Sequence, residues 1–500
     1  MNQWVIWGAM AGWTVLTIVI AAKAGRGLGK GSSEFFIGGR RIKGFVSGMT
    51  YAATTYSAFM LVGLVGLTYN TGVGAYGFEM TYLICTVLLL VIFGPRFFLV
   101  GKRFDHLTPP ELLAHRLQHK GVALTAAVIS FVMLIPYSAV QMMGAGFLVE
   151  GLSGGDVPYM AGVIVMAAIA GIVALWAGMR SVAWTDAVQA ITMLVTSIAA
   201  LAYISFQYFG SPVAFIQTIE TGHAELLKLT WDPNFFIGLT LPWAFFALTN
   251  PQVSQRMYVP DSPHSLRRMI MYFSVFGAVY TIISVLFGYQ AAALFPGLEN
   301  PDAAMPTLLR QVPMGVALII FIGIFAAATS TLGSLILTLS SLLSRDVIRV
   351  FKPEIDEQQE QVFGKIGMVV LLIAGVVFAA LRPGLITVMS SMSSGGLLVM
   401  APTIIAVFYW KRVTATASLF SMITAGIMTA AMYISGWYPF GIWPPVWGLG
   451  LSTVLLVGIS LFTAPPSGSA QWLEHLRLDL EKAGFNPPRS QPKNSSRADT

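Results

Sequence analysis

The 500-residue chain is 56% hydrophobic and only 10% charged, with mean hydropathy +0.73. Soluble domains carry about 25% charged residues, so a soluble fold is excluded and an all-α polytopic membrane protein is expected. The net charge of +7 sits in loops on one side of the apolar runs, which orients a membrane protein and asks for no nucleic acid or other acidic partner.

Apolar runs of about 20 residues recur from end to end and predict about thirteen spans. They lie near 4–22, 44–69, 77–100, 122–149, 157–177, 183–209, 234–254, 268–294, 312–342, 363–381, 384–409, 414–436 and 444–463. The first has no basic residue before it and a basic loop after it, so it reads as a retained span and not a cleaved signal. With the N-terminus outside, 26 of the 29 Lys and Arg fall on the inner side, leaving only Lys228, Arg310 and Arg382 outside. That bias predicts N-terminus out and C-terminus in. The single cysteine, Cys85, lies in an apolar run and excludes an intramolecular disulfide.

Span two carries "SGMTYAATTYSAFMLVGLVG", with Thr50, Ala53, Thr54 and Ser57 at i, i+3, i+4, i+7, one face of a helix. "TGVGAYG" follows and fits G-x-G-x-x-G at Gly72, Gly74 and Gly77, but a loop between two spans has no βαβ unit to make it a dinucleotide site. Glu79 enters the first turns of span three, either as an interfacial carboxylate or as a buried functional one. His115 and His119 stand four apart in "PELLAHRLQHK", a pair without the further ligands a zinc site needs. Asp186, in "MRSVAWTDAVQ", falls near the inner start of span six, where it could cap the helix or serve a site. Span seven, "LTLPWAFFALTNPQVSQR", is interrupted by Pro242 and Pro251.

Spans two and seven thus open two five-span units, about 44–209 and 234–409, as in carriers built from inverted repeats with broken first helices. Span nine reads "FIGIFAAATSTLGSLILTLSSLL". Ala327, Ser330, Thr331, Ser334, Thr338 and Ser341 fall in one sector roughly 100° wide on a helical wheel. Two readings stay open: small residues for close helix packing, or oxygens for an ion, with carbonyls of Ala53, Tyr56 and Ala327 beside the Ser330 and Thr331 hydroxyls. Span eleven, "TVMSSMSSGGLLVMAP", places Ser390, Ser391, Ser393 and Ser394 before Gly395 and Gly396, suited to a bend or to close packing. Residues 1–463 form the transmembrane unit and 464–500 an inner tail. Within the tail, Trp472, Leu473, Leu476 and Leu480 share an apolar face suited to the inner membrane surface. The end, "PPRSQPKNSSRADT", reads as disordered, and its inner location denies Asn494 a glycosylation role.

Several of these stretches together resemble the sodium:solute symporter family, relatives of the sodium/proline, sodium/pantothenate, sodium/galactose and sodium/sialic acid carriers. They are "EFFIGGRRIKGFVSGMTYAATTYSAFMLVGLVGLTYNTG", "HLTPPELLAHRL", "AGMRSVAWTDAVQ", "NPQVSQRMYVPDS" and "AAATSTLGSLILTLSSLLSRDVIRVFKP", in order from about residue 34 to 350. The resemblance implies a LeuT-like fold of two inverted five-helix units. It also implies Na⁺-coupled uptake of a small organic solute (amino acid, carboxylate, vitamin or sugar) by alternating access in the cell membrane. No enzyme activity and no obligate protein partner are expected; proton coupling and a non-transporting solute sensor are the alternatives.

Carried over residue by residue, the Na⁺ ligands are Ala53, Tyr56, Ala327, Ser330 and Thr331. A second Na⁺ site would use Asp186 and Ser334, although Gly333 stands where a two-sodium relative has a hydroxyl. The solute-binding set is Thr55, Ser57, Phe78, Glu79, Asn250, Gln252, Ser391 and Ser394. Thr55 and Gln252 depart from the relatives' side chains at those places, so the resemblance fixes the machine better than its cargo.

Overall fold

A computed structural model describes residues 2–26, 31–176, 178–382 and 384–485. Asn494 and the end of the tail lie outside the described residues. The described chain is helical, with no strand and one isolated bridge between Ile42 and Pro260. The main helices are α1 (Gln3–Ala24), α2 (Gly44–Thr55), α3 (Leu64–Thr71), α4 (Val73–Phe104), α5 (Pro109–Leu117), α6 (Lys120–Ser153), α7 (Tyr159–Trp176), α8 (Met179–Phe209) and α9 (Pro233–Ala244). They continue with α10 (Pro263–Leu294), α11 (Met314–Ser341), α12 (Glu357–Ala380), α13 (Ile386–Leu398), α14 (Ala401–Tyr409), α15 (Ala415–Ser435), α16 (Pro444–Phe462) and α17 (Ser469–Lys482).

Among the described residues, nine helices are long and apolar enough to cross a membrane, and two bent pairs raise the number to eleven. The pairs are α2 with Phe59–Thr71, bent by 52°, and α13 with α14, bent by 40°. Two of the expected runs fall short of that measure for physical reasons. Run 157–177 is α7, apolar over a shorter stretch, Tyr159–Ala174. Run 234–254 is broken into α9, Phe246–Thr249 and Pro251–Ser254, because Pro251 has no N–H for a continuing ladder and disfavours a helical Asn250 before it.

The centre is built where α11 packs along α8, and α2 lies between α8 and α10. Small residues allow the approach: a Cβ on Gly44 or Gly48 of α2 would stand 2.6 Å from Arg268 or 2.7 Å from Tyr272 of α10. In α13 the bend falls after Leu398, not at the glycine pair. Gly395 and Gly396 instead accommodate Pro445 and Met133, whose atoms lie 2.7 and 2.1 Å from where a Cβ would be.

Thr108 and Glu111 form a capping box that starts α5, and Glu111 also accepts from Arg345 at 2.6 Å. His115 belongs to α5, whereas His119 caps α6 by accepting the Gly121 N–H. The tail helix α17 corrects its expected place on the membrane surface. Leu476 and Leu480 are buried against the protein, Arg116 lies over the Trp472 ring and donates to Ser469, and Arg103 pairs with Asp479 at 2.6 Å. Amphipathicity shows that one face is covered, not what covers it.

Candidate ion and solute site

Helix α2 stops because Tyr56 takes an extended conformation (φ −94°, ψ 103°); the chain resumes through a π-turn at Phe59–Gly63. The break leaves the Ala53 carbonyl facing α11. Ser330 donates to it from Oγ at 2.8 Å and Thr331 from Oγ1 at 3.1 Å. Ser330 Oγ also lies 3.0 Å from the Ala327 carbonyl. Four of the five expected ion ligands therefore meet through their oxygens. Tyr56 sits at the break itself, its ring packed against Phe273, Phe276 and Tyr280 of α10. All five are buried. Neutral carbonyl and hydroxyl oxygens converging from a broken and an intact helix are the donor type that suits Na⁺.

One turn farther along α11, Ser334 meets Asp186, which lies seven residues inside α8 and is no cap. Its Oδ2 accepts from Thr50 at 2.6 Å and from Ser334 at 3.4 Å, while Thr54 and Ser334 share a bond of 2.9 Å. The proposed second pair, Asp186 and Ser334, is thus together. So is a residue that sequence reasoning left among the loop charges: Arg256. Its Nη2 stands 3.6 Å from Asp186 and donates to Ser334 Oγ at 2.5 Å, and its Nη1 donates to the Gln252 carbonyl at 2.9 Å. Beside Asp186 is a cavity of about 20 Å³, also lined by Gln189, Thr329, Ser330 and Gly333. That is room for about one water-sized particle. Farther along the stripe, Thr338 donates to Gln255 Oε1 and Ser341 accepts from Gln255 Nε2, so these two hold Gln255.

The solute candidates are likewise buried: Thr55, Ser57, Phe78, Glu79, Asn250, Gln252, Ser391 and Ser394 are each at most 3% exposed. Glu79 is fully buried and is no interfacial carboxylate. Both its carboxylate oxygens, both side-chain atoms of Gln252, Asn250 Nδ2 and the hydroxyls of Thr55 and Ser394 have no hydrogen-bond partner among the described residues. Such atoms are costly in a protein interior unless a ligand or water meets them. Ser57 and Ser391 are engaged instead: Ser57 Oγ accepts the Phe59 N–H, and Ser391 Oγ accepts from Trp243 Nε1 at 2.9 Å.

Rings close the space. The Trp243 ring stacks with Phe59 and with Phe246, each at 5.2 Å between centroids, and makes T-shaped contacts with Phe78 and Tyr82. Tyr82, Tyr137, Gln141 and Trp243 escaped the sequence reading. Gln141 accepts the Ala58 N–H just past the break, and the hydroxyls of Tyr82 and Tyr137 have no partner among the described residues. The available signals were Trp243 directly after Pro242, and Tyr137 and Gln141 one turn apart behind Pro136.

A model of the sodium:solute symporter family matches residues 35–460. The chain belongs to this family. It is a multi-pass protein of the cell membrane that moves a small solute together with Na⁺, and its relatives are transporters, not enzymes. The sodium/pantothenate symporter of Escherichia coli (strain K12) is 26% identical over 467 residues, covering 91% of this chain and 96% of the relative. The sodium/glucose cotransporter of Vibrio parahaemolyticus is 22% identical over 438 residues, covering 80% and 79%. The symporter also shares its fold with a Na⁺-coupled sialic acid symporter in its substrate-bound outward-open state. There the TM-score is 0.78 at 19% identity, over 92% of this chain and 98% of that one.

Proposed function

We propose that this symporter binds one Na⁺ between α2 and α11, through the carbonyls of Ala53, Tyr56 and Ala327 and the hydroxyls of Ser330 and Thr331. The observation that carries the reading is the Ala53 carbonyl, freed at the helix break and met by both hydroxyls of α11. A cation there would replace the two donated protons and tie the broken helix to the intact one. Solute would bind beside it, among Thr55, Ser57, Phe78, Glu79, Asn250, Gln252, Ser391 and Ser394, under the ring cluster around Trp243.

Arg256 supports a single-ion cycle. Its guanidinium stands at Asp186 and Ser334, where a second Na⁺ would need a vacant carboxylate, and Gly333 brings no hydroxyl to the cavity. The carrier frame would be thirteen spans, with units 44–209 and 234–409 as inverted repeats, N-terminus out, C-terminus and tail 464–500 in, and no obligate protein partner. Each Na⁺ moving inward contributes about 2.3 kcal/mol per 100 mV of membrane potential. Pantothenate and glucose, named for the two relatives, set the range of solutes to try; an anion such as pantothenate would meet the Glu79 carboxylate.

The test is solute uptake into proteoliposomes with an inward Na⁺ gradient, against the same gradient of choline. Uptake that vanishes with choline is expected, with a Hill coefficient for Na⁺ near 1. Uptake that is unchanged in choline but driven by a pH gradient overturns the reading.

A further inference from the structure

We propose that the groove between the end of α4 and the tail helix α17 binds the phosphate headgroup of an anionic membrane lipid. The groove has a volume of about 580 Å³ and is lined by Leu99, Lys102 and Arg103 of α4 and by Leu478, Asp479 and Lys482 of α17. His475 also opens onto it. Three fixed cations thus face one carboxylate, and that carboxylate is engaged: Asp479 pairs with Arg103 at 2.6 Å. The neighbouring acids of α17, Glu474 and Glu481, both pair with Arg477 on the same helix. Lys102 and Lys482 are exposed and have no acidic partner among the described residues. The groove therefore holds a surplus of positive charge on two ammonium groups, which suits a phosphodiester anion.

Its place on α4 favours a lipid over a soluble phosphate. Helix α4 runs unbroken from Val73 to Phe104 and is long and apolar enough to cross a membrane. Ile84, Leu88 and Val91 on it are 54%, 55% and 55% exposed, and on a spanning helix an exposed apolar face meets acyl chains. On a helical wheel these three, Leu99 and Lys102 fall in one sector roughly 80° wide. Lys102 stands five turns from Ile84 on the same face. An acyl chain lying along this stripe would bring its headgroup to the Lys102 ammonium, with Lys482 reaching it from the tail helix. A free anion makes no use of the stripe. The bound headgroup would add a second tie between α4 and α17, beside the Arg103–Asp479 pair.

The experiment is thermal denaturation of the purified full chain in nonionic detergent at constant Na⁺. The chain is titrated with phosphatidylglycerol, phosphatidylcholine or inorganic phosphate. Phosphatidylglycerol is expected to raise Tm at a lower concentration than phosphatidylcholine, with no comparable shift from inorganic phosphate. With Lys102→Gln and Lys482→Gln combined, the apparent affinity for phosphatidylglycerol falls about tenfold or more. Both side chains are exposed, so this variant should melt with the parent in detergent alone. Should it melt earlier, Lys482→Gln by itself decides, with a fall of about fivefold. Lys352→Gln combined with Lys411→Gln removes the same charge from exposed lysines outside the groove and should keep the parent's affinity. Equal shifts from the two lipids, no shift from phosphatidylglycerol, or an equal loss in the two double variants overturns the inference. A shift from inorganic phosphate that matches phosphatidylglycerol and needs the same two lysines assigns the groove to a soluble anion and overturns the lipid.

Discussion

Arg256 and Asp186 form an ion pair of 3.6 Å in which the two side chains are 0% and 1% exposed. Removing one member of a buried pair leaves the other charge uncompensated, at a cost of about 3–5 kcal/mol. Arg256→Gln is therefore expected to lower Tm sharply in Na⁺-free buffer. The vacated carboxylate, with Ser334 and the adjoining cavity, then becomes able to take a cation, so rising Na⁺ should recover stability further in the variant than in the parent. Asp186→Asn should be destabilised by a similar amount without that recovery. Titrating Tm against NaCl at constant ionic strength checks both; equal Na⁺ dependence in Arg256→Gln and the parent counts against the single-ion reading.

The hydroxyl stripe of α11 makes two sets of contacts. Thr331 meets the Ala53 carbonyl at the break, whereas Ser341 holds Gln255. A hydrogen bond or ligand oxygen of this kind is worth about 1–1.5 kcal/mol, or roughly a tenfold change in an equilibrium constant. Thr331→Ala should raise the Na⁺ concentration for half-maximal uptake about tenfold, and Ser341→Ala should leave it nearly unchanged. Comparable shifts in the two variants would remove Thr331 from the ligand set.

The legible parts of this molecule were those written in local spacing. Thr50, Ala53 and Thr54 recur at helical intervals, and they do face Asp186 and α11 together. Pro242 and Pro251 announced an interrupted span, and α9 and the short helices after it are the result. Arg256 was hidden because, at the inner end of that span, it counts as one more inward cation, and its partner lies on a helix far away in sequence. Tyr82, Tyr137 and Trp243 were hidden because hydropathy treats a ring packed in the interior like a ring facing lipid. The tail helix failed for a related reason: its apolar face fits a bilayer and a protein groove equally well.

The glycines of "TGVGAYG" make a steric prediction. Gly72 has φ +62°, and a Cβ there would stand 2.0 Å from the Leu226 carbonyl oxygen; at Gly74 it would stand 2.4 Å from the Trp231 indole nitrogen. The segment from 223 to 231 thus lies directly on the turn between α3 and α4. Gly72→Ala combines backbone strain of about 1–3 kcal/mol with a clash against main chain, and should lower Tm. Gly77→Ala is the control, since its nearest neighbour, in Phe236, is 3.8 Å away; alanine in a helix should be neutral or stabilising by up to about 1 kcal/mol. Equal Tm values for the two variants would contradict the close seating of this segment.

Asp302 gives the symporter a pH dependence on its proposed outer face. It lies between α10 and α11, and its Oδ2 accepts the N–H of Ile386 at the start of α13 at 3.0 Å. Neighbouring Pro301 is packed on α3, its carbonyl oxygen 2.6 Å from where a Gly66 Cβ would be. Burial pushes the Asp302 carboxyl up from 3.8 to about 6, against the opposing effect of the Ile386 bond. The packed arrangement therefore binds a proton more tightly than an open, solvated Asp302 does. Its proton-linked stabilisation is fully present below 3.8 and is lost as pH rises through about 6; the span of the effect is at most about 3 kcal/mol. Lowering external pH from 7.5 to 5.5 should favour the packed arrangement of Asp302 against α13 and change uptake at fixed Na⁺ gradient. Asp302→Asn keeps an acceptor for Ile386 but cannot titrate, so its uptake should lose that component of the acid response. The same acid response in parent and variant would assign the effect to another group.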